Sequence, residues 1–213
     1  MVSRFLHEEI YRGADALSKL SESQITICGA GALGSHLIDN LARQGVDHLR
    51  VIDCDRVEEH NVSTQIYGVS DVGAWKVEVL RNHLFRAVGV ELDVVTKRLT
   101  DRTARKQLKG SDLVIDTFDN SESRQLVQQH CREQSLPCLH VGLYADYCEV
   151  IWDEAYRVPR DVAGDVCEYP LARNLVLLAV VIASEAVVRF CLAGETHNRT
   201  ATLRDFAVRE LDV

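Results

Sequence analysis

No Cys-x-x-Cys pair occurs in this sequence, which removes the usual spacing of a tetrahedral zinc–thiolate site. The cysteines number 7, an odd count placed mostly in expected strands and helices, which suits a reducing cytoplasm better than a disulfide framework. Positive charge is in deficit. Lys and Arg total 24 against 32 Asp and Glu, and the net −8 excludes bulk binding to nucleic acid or to an acidic membrane surface. Long hydrophobic runs are missing too: the longest, 175–183, falls short of the roughly 20 residues a bilayer needs. No signal-peptide pattern opens the chain, because Arg4, His7, Glu8, Glu9 and Arg12 interrupt its start. Internal repeats, low-complexity tracts and linkers are also lacking. What is present, 213 residues with 46% apolar content, suffices for one substantial core and a single unit over 1–213.

That unit is organised around the stretch 24–61. Gln24-Ile25-Thr26-Ile27-Cys28 reads as a strand, Gly29-Ala30-Gly31-Ala32-Leu33-Gly34 as a turn, and 35–44 as a helix broken by Gly45. A second strand, Leu49-Arg50-Val51-Ile52, then ends in Asp53-Cys54-Asp55. Strand, glycine turn, helix and acid-ended strand make a βαβ unit of the phosphate-binding kind. Gly29 and Gly31 permit a tight turn and close approach of a ligand, and Gly34 permits close packing of helix on strand. The free amides and the positive dipole end at the helix start favour phosphate there. Asp53 is placed to accept hydrogen bonds from a ribose.

Taken in order, residues 3–13 predict a helix, which would cover a sheet edge or meet a partner, and 15–20 a short further turn. After Asp55 the polar stretch 56–65 is a candidate functional loop, since it leaves the carboxyl end of a strand. A helix over 74–88 follows, with Val77, Leu80, Leu84 and Val88 on one face and Gly89 as its stop. Lys76 in its first turn opposes the helix dipole, so it is either a solvated lysine or one aimed at phosphate. Strands are expected at 92–95, 113–116 and 138–141, and helices at 101–108 and 121–134. This alternation predicts an α/β, Rossmann-like sheet, mostly parallel, with helices on both faces. The strand at 147–152 follows too closely for a helical crossover, so the sheet should continue antiparallel. An irregular stretch 153–169, the longest helix over 171–192 and one last strand over 200–211 complete an extension, 142–213, of the nucleotide-binding half, 24–141.

The loop motifs, in this order, resemble the ThiF/MoeB/HesA adenylyltransferases, bacterial relatives of the ubiquitin-activating enzymes. They are Gly29-Ala-Gly-Ala-Leu-Gly34, Asp53-x-Asp55, Asn61-x-x-x-Gln65, Gly73-x-x-Lys76 and Asp116-x-x-Asp119-Asn120-x-x-x-Arg124. The resemblance starts at Arg4-Phe-Leu-His-Glu and extends to the last strand near Thr202. It implies ATP and magnesium as cofactors. Gly29, Gly31 and Gly34 would cradle the phosphates, and Asp53, with Asp55 beside it, would face the ribose. Asn61, Gln65 and Lys76 would grip the triphosphate, and Asp119 would hold the magnesium. The implied reaction adenylates the C-terminal glycine of a small ubiquitin-fold protein and releases pyrophosphate, in a cytoplasmic homodimer. Against these roles, Asp55 and Asp116 also suit loop caps, and Arg124 suits a partner for Asp119 or for the C-terminal helix.

Three positions depart from the family pattern or leave it open. Thr64 and His7 stand where relatives carry arginine, so other cations (Arg4, Arg12 and Arg56 are near in sequence) would have to compensate. Otherwise the chain is a slow enzyme or a non-catalytic subunit paired with an active relative. Cys167 matches the family's loop cysteine, which in some relatives carries the substrate tail covalently; Asp165 and Glu168 beside it disfavour its thiolate. Cys28, Cys138 and Cys191 read as small core residues. A nicotinamide-dependent oxidoreductase also fits Gly31 and Asp53, although it leaves Asn61, Gln65 and Lys76 without a task.

Overall fold

Residues 25–28 show how the sheet is built. Ile25 and Ile27 point to one face while Thr26 and Cys28 point to the other, and all four are buried. A strand covered on both faces belongs at the centre of a sheet flanked by helices. The computed structural model describes residues 3–159 and 170–211. Its elements are α1 (Leu6–Arg12), α2 (Ala14–Glu22), β1 (Gln24–Cys28), α3 (Ala32–Arg43), β2 (His48–Ile52), α4 (Lys76–Val88), β3 (Asp93–Val95) and α5 (Asp101–Gln107). There follow β4 (Leu113–Asp116), α6 (Ser121–Glu133), β5 (Cys138–Tyr144), β6 (Tyr147–Trp152), α7 (Arg173–Ala193), β7 (Arg199–Thr202) and β8 (Val208–Glu210).

One sheet runs through both halves in the order β3-β2-β1-β4-β5-β6-β7-β8. It is parallel from β3 to β5 and antiparallel from β5 to β8. The chain moves outward from β1 to β2 and β3, then returns to place β4 on the other side of β1. That reversal opens a crevice at the carboxyl ends of β1 and β4, the place where such sheets bind ligands.

Two apolar layers hold the helices. On one face Ile25, Ile27, Val51 and Ile115 pack with Leu37 and Leu41 of α3, Leu80 and Leu84 of α4 and the inner side of α7. On the other, Cys28, Val114 and Cys138 pack with Ala104 of α5 and Val127 and Cys131 of α6. Cys28 and Cys138 are thus core residues, while Cys191 is half-buried. α7 spans 21 residues and is apolar enough, by length and composition, to cross a membrane; half of its most apolar window is buried inside the fold. Leu175, Val176, Ala179, Val180, Ala183, Val187 and Val188 form that buried side, one helical stripe laid against the sheet and α3.

Several expectations change. The single last strand over 200–211 is two, β7 and β8, because residues 203–207 turn back. Phe206 takes φ 55°, and the Asp205 carboxylate accepts from Ala207 N–H at 3.0 Å, the local bond that turns a chain. β5 runs on to Tyr144 and meets β6 through a two-residue turn whose Ala145 has φ 54°. The short turn at 15–20 is a full helix, α2, with Leu20 buried. None of the residues of α1 is buried. It is tied down by Arg12, which bridges Glu8 and Glu185 of α7 at 2.8 Å each, and it leaves Ile10 and Tyr11 exposed.

Candidate nucleotide site

The glycine turn is fixed by its neighbours. Gly29 has φ +104° and donates its N–H to Ile52 O at 2.9 Å, extending the sheet by one bond. A Cβ on Gly34 would lie 2.1 Å from the Gly29 carbonyl oxygen and 2.7 Å from Thr117 Oγ1. That near-contact of α3 with the end of β1 demands glycine there. The Thr117 hydroxyl donates toward Cys28 O and Gly29 O (3.0 and 3.2 Å), and the Tyr67 hydroxyl donates to Ala30 O at 2.7 Å. A Cβ on Gly31, in contrast, would meet nothing within 4 Å. The space above this residue is open for a ligand. The first intrahelical bond of α3 runs from Ser35 N–H to Gly31 O, so the amides of its first turn have no partner within the helix.

Around this turn lies a cleft of about 250 Å³. Gly29 and Gly31 form one wall, and Asp53, Cys54 and Asp55, from the end of β2, another. Lys76 enters from α4; Lys97, Arg98 and Leu99 follow β3; and Thr117, Phe118, Asp119 and Asn120 follow β4. Asp53 is 7% exposed and accepts from Ala30 N–H and Asp55 N–H, each at 2.7 Å. Burial raises its pKa above the ordinary carboxylate value, although Lys76 and these two amides pull it back in part. Lys76 is the first residue of α4 and is 7% exposed; its ammonium donates to Asp55 Oδ2 at 3.2 Å. The dipole conflict expected at this position is therefore answered by a carboxylate. Asp119 is exposed at the lip, and Asn120 caps α6 by accepting Ser123 N–H at 2.9 Å.

Of the expected site residues, Gly29, Gly31, Asp53, Asp55, Lys76 and Asp119 come together in this cleft. Gly34 lies behind it as a packing residue. Asn61 and Gln65 do not line it. Asn61 is 4% exposed and accepts Glu58 N–H at 3.0 Å, which shapes its own loop, and Gln65 carries a buried Oε1 without a hydrogen-bond partner. Cys167 lies outside the described residues. The cations expected to replace the absent arginines are engaged elsewhere. Arg4 binds Val88 O and Asp47, Arg12 binds Glu8 and Glu185, and Arg56 lies over Trp75 and donates to Gly73 O. Arg173, at the start of α7, instead reaches Ser63 O at 3.2 Å, next to Thr64.

Lys97 and Arg98 escaped the sequence reading. Their only signal was a pair of cations one residue beyond a very short strand. Arg98 donates to Glu122 Oε2 at 3.4 Å, an exposed pair that links the β3 side of the cleft to α6. A second hollow of about 100 Å³ lies at the opposite, amino ends of β1 and β2. Its one arginine, Arg50, is bound to Asp93 and to the carbonyls of Gln107 and Lys109, which leaves little there for an anion.

Behind the cleft, Asp116 and His140 are both 0% exposed. His140 Nδ1 lies 2.9 Å from Asp116 Oδ2, and Nε2 3.3 Å from Asp153 Oδ1. Arg124 donates to Tyr156 Oη at 2.8 Å and to Val141 O at 3.0 Å, and lies 3.6 Å from Asp116. Arg124 thus pairs with neither Asp119 nor the C-terminal helix. Burial pushes the His140 imidazole down, but the bonds and charges of Asp116 and Asp153 outweigh it and hold the group above its usual 6.5. Burial would raise Asp153, yet His140, Arg132 and Gln128 bring it down to about 2.

The His140 contribution to stability is complete below about 6.5 and fades as pH rises through the raised folded value; that of Asp153 is complete above 3.8 and fades as pH falls toward about 2. Arg124, Arg132, Glu149 and Tyr156 face the same network; burial raises Glu149 against the pull of Arg124 and His140. Urea unfolding should therefore find this network most stabilising between about pH 4 and 6.5. Asp153→Asn should flatten the difference between pH 6 and 9. An undiminished difference in that variant would remove His140 as its source.

Residues 3–161 match the ThiF family. Among curated relatives, a SAMP-activating enzyme E1 of Haloferax volcanii is 33% identical over 135 residues, covering 62% of this chain and 50% of its own. A sulfur carrier protein adenylyltransferase of Thermus thermophilus is 34% identical over 135 residues, 62% of this chain and 49% of its own. A tRNA threonylcarbamoyladenosine dehydratase of Bacillus subtilis is 27% identical, covering 65% of this chain and 56% of its own. The chain spans about half the length of these relatives. Among solved structures, Escherichia coli MccB with ATP superposes with TM-score 0.80 over 99% of this chain and 71% of that one, at 18% identity, a likeness of fold.

Proposed function

The chain belongs to the ThiF family, and from that premise we propose that it adenylates the C-terminal glycine of a small ubiquitin-fold protein with ATP and magnesium. The observation that carries this reading is one cleft holding open space above Gly31, the buried Lys76 ammonium and the exposed Asp119 carboxylate. Relatives named for activating a sulfur carrier protein or SAMP support the class of acceptor. In the reaction a carboxylate oxygen attacks the α-phosphorus. The bond to the bridging oxygen breaks, and pyrophosphate leaves with the electron pair.

The first-turn amides of α3 would face the phosphates, Asp53 the ribose, and Lys76 the triphosphate charge. Asp119 would hold the magnesium ion, which neutralises phosphate charge and so lets an anion approach. Arg98 could add a cation by leaving Glu122. No nucleophile from the enzyme is needed at this step, so a covalent role for Cys167 would come only after it. A homodimer with α1 near the neighbour's site and a cytoplasmic setting belong to the same proposal; the exposed Ile10 and Tyr11 support a contact there.

Nucleotide choice tests the reading before any partner is in hand. At a ligand concentration about 100 times Kd, binding adds about 2.7 kcal/mol to native stability. For a domain of this size each kcal/mol moves Tm by about 2–4 °C. ATP with magnesium is expected to raise Tm by that amount, and NAD to leave it in place; the opposite order would establish a nicotinamide site. With a partner ending in Gly-Gly, ATP–pyrophosphate exchange should appear in the parent protein, disappear in Asp119→Ala and survive in Cys167→Ala. If exchange is absent from the parent even after Thr64→Arg and His7→Arg, the non-catalytic subunit is the better reading.

A further inference from the structure

Asp116 has two oxygens with two different tasks. Oδ1 accepts the backbone N–H of Phe118 at 3.1 Å, inside the loop that carries Asp119. Oδ2 is held by His140 Nδ1 at 2.9 Å. The imidazole is gripped from its far side by Asp153, which Arg132 holds in turn through Nε at 2.7 Å. Tyr156 stacks flat on the ring, with centroids 3.8 Å apart and planes inclined by 9°. Its hydroxyl is bonded to Arg124, whose other arm reaches Val141 O. A chain of short contacts therefore runs from the cleft, across β4 and β5, to the segment just after β6.

We propose that His140 is a positioning residue for the nucleotide site: clamped between Asp116 and Asp153, it fixes the backbone of residues 117–120 and so the place of the Asp119 carboxylate. The loop is anchored at both ends: Thr117 is bound to the end of β1, and Asn120 caps α6 while its amide donates to Asp119 Oδ1 at 3.2 Å. Between them Phe118 N–H depends on Asp116, and Asp119 itself stands exposed. An aspartate in a buried strand keeps one rotamer only while its second oxygen is satisfied. The Arg124 guanidinium lies 3.6 Å from that oxygen, and His140 supplies the closer donor, one that cannot swing away because Tyr156 covers one face of the ring and Asp153 holds the opposite nitrogen. Partners one shell outside a ligating group commonly tune it in this way.

The proposal rests on the adenylation reading for its magnesium arm; its loop arm does not. In the protein without nucleotide, His140→Gln keeps one donor and His140→Leu keeps none. Amide hydrogen exchange at residues 117–120 is expected to quicken about tenfold in the glutamine variant, and further in the leucine variant, for the loss of a buried bond. Val51 and Ile52 of β2 should exchange at the parent rate. With ATP present, the magnesium concentration giving half the thermal stabilisation should rise roughly 10–100-fold in His140→Gln, while magnesium-free ATP binding is unchanged. A purely structural histidine would lower Tm and quicken β2 as much as the loop, with an unaltered magnesium midpoint, and that pattern overturns the proposal. Should the leucine variant fail to fold, Asp153→Ala removes the partner of the outer nitrogen without emptying the core, and must quicken the same loop amides; no change there overturns it equally. A parent protein without magnesium-dependent ATP stabilisation would defeat the adenylation reading, and the exchange result would still decide the role of His140.

Discussion

Lys76→Ala is expected to lower ATP–pyrophosphate exchange roughly 10²–10³-fold, the range for removing one fixed positive or donor group beside a reacting centre, while leaving Tm unchanged or slightly raised. The two halves of this expectation come from one geometry. Lys76 is 7% exposed and begins α4, where the helix dipole repels an ammonium; its carboxylate partner within ion-pair distance among the described residues, Asp55 at 3.2 Å, is 63% exposed, and Asp53 feels its charge from farther off. Such a group does little for folding, because its desolvation and the dipole both oppose it and solvent screens its partner. In the cleft it is a fixed cation facing the place of a triphosphate. Exchange within threefold of the parent would show that Lys76 does not meet the nucleotide. A large fall in Tm would show instead that the Asp55 pair holds the loop, and the rate loss would then be a folding effect.

Gly34→Ala should have the largest effect on stability, a loss of about 3 kcal/mol, at the upper end for forcing a methyl into a packed interior. The added carbon would stand 2.1 Å from the Gly29 carbonyl oxygen and 2.9 Å from its carbon, both backbone atoms that no rotamer change can move. Relief requires α3 to lift from β1, and Thr117 Oγ1, 2.7 Å away, blocks the sideways route. Tm should fall by about 6–12 °C at about 2–4 °C per kcal/mol. Gly31→Ala is the matched control. At Gly31 φ is −79° and nothing stands within 4 Å, so the variant should fold with a Tm near the parent's and lose its response to ATP. Equal Tm values for the two variants would mean that helix and strand are not in the contact described.

The parallel half was legible because its signals are local. Alternating Ile25, Thr26, Ile27 and Cys28, a glycine turn and an acid-ended second strand are each set within a few neighbours, and β4 and β6 fall where their apolar runs begin and end. Gly89 and Gly194 stop their helices in the left-handed conformation that glycine adopts most readily. The last strands were misjudged because a turn at 203–207 depends on Asp205 and on a bond from Leu203 N–H to Asp146 O, in a distant hairpin. The same limit governs the site. Gly29, Gly31, Asp53 and Lys76 could be named from motif positions, since each faces the carboxyl edge that the strand order makes common to all.

Only the tertiary structure decided which charges share the cleft. Arg4, Arg12 and Arg56 lie near the motifs in sequence, but the fold commits them to carbonyls, carboxylates and an indole elsewhere. Lys97 and Arg98, remote from every motif, arrive there because β3 lies beside β2. His140 drew no notice in the sequence; its two aspartates come from β4 and from the residue after β6, neighbours made by sheet order alone. Backbone pattern is a property of adjacent residues, so the sequence by itself determined the strands of the parallel half, the glycine turn and the family's motifs. Electrostatic partnership falls steeply with distance through space, and that distance exists only once the sheet has assembled.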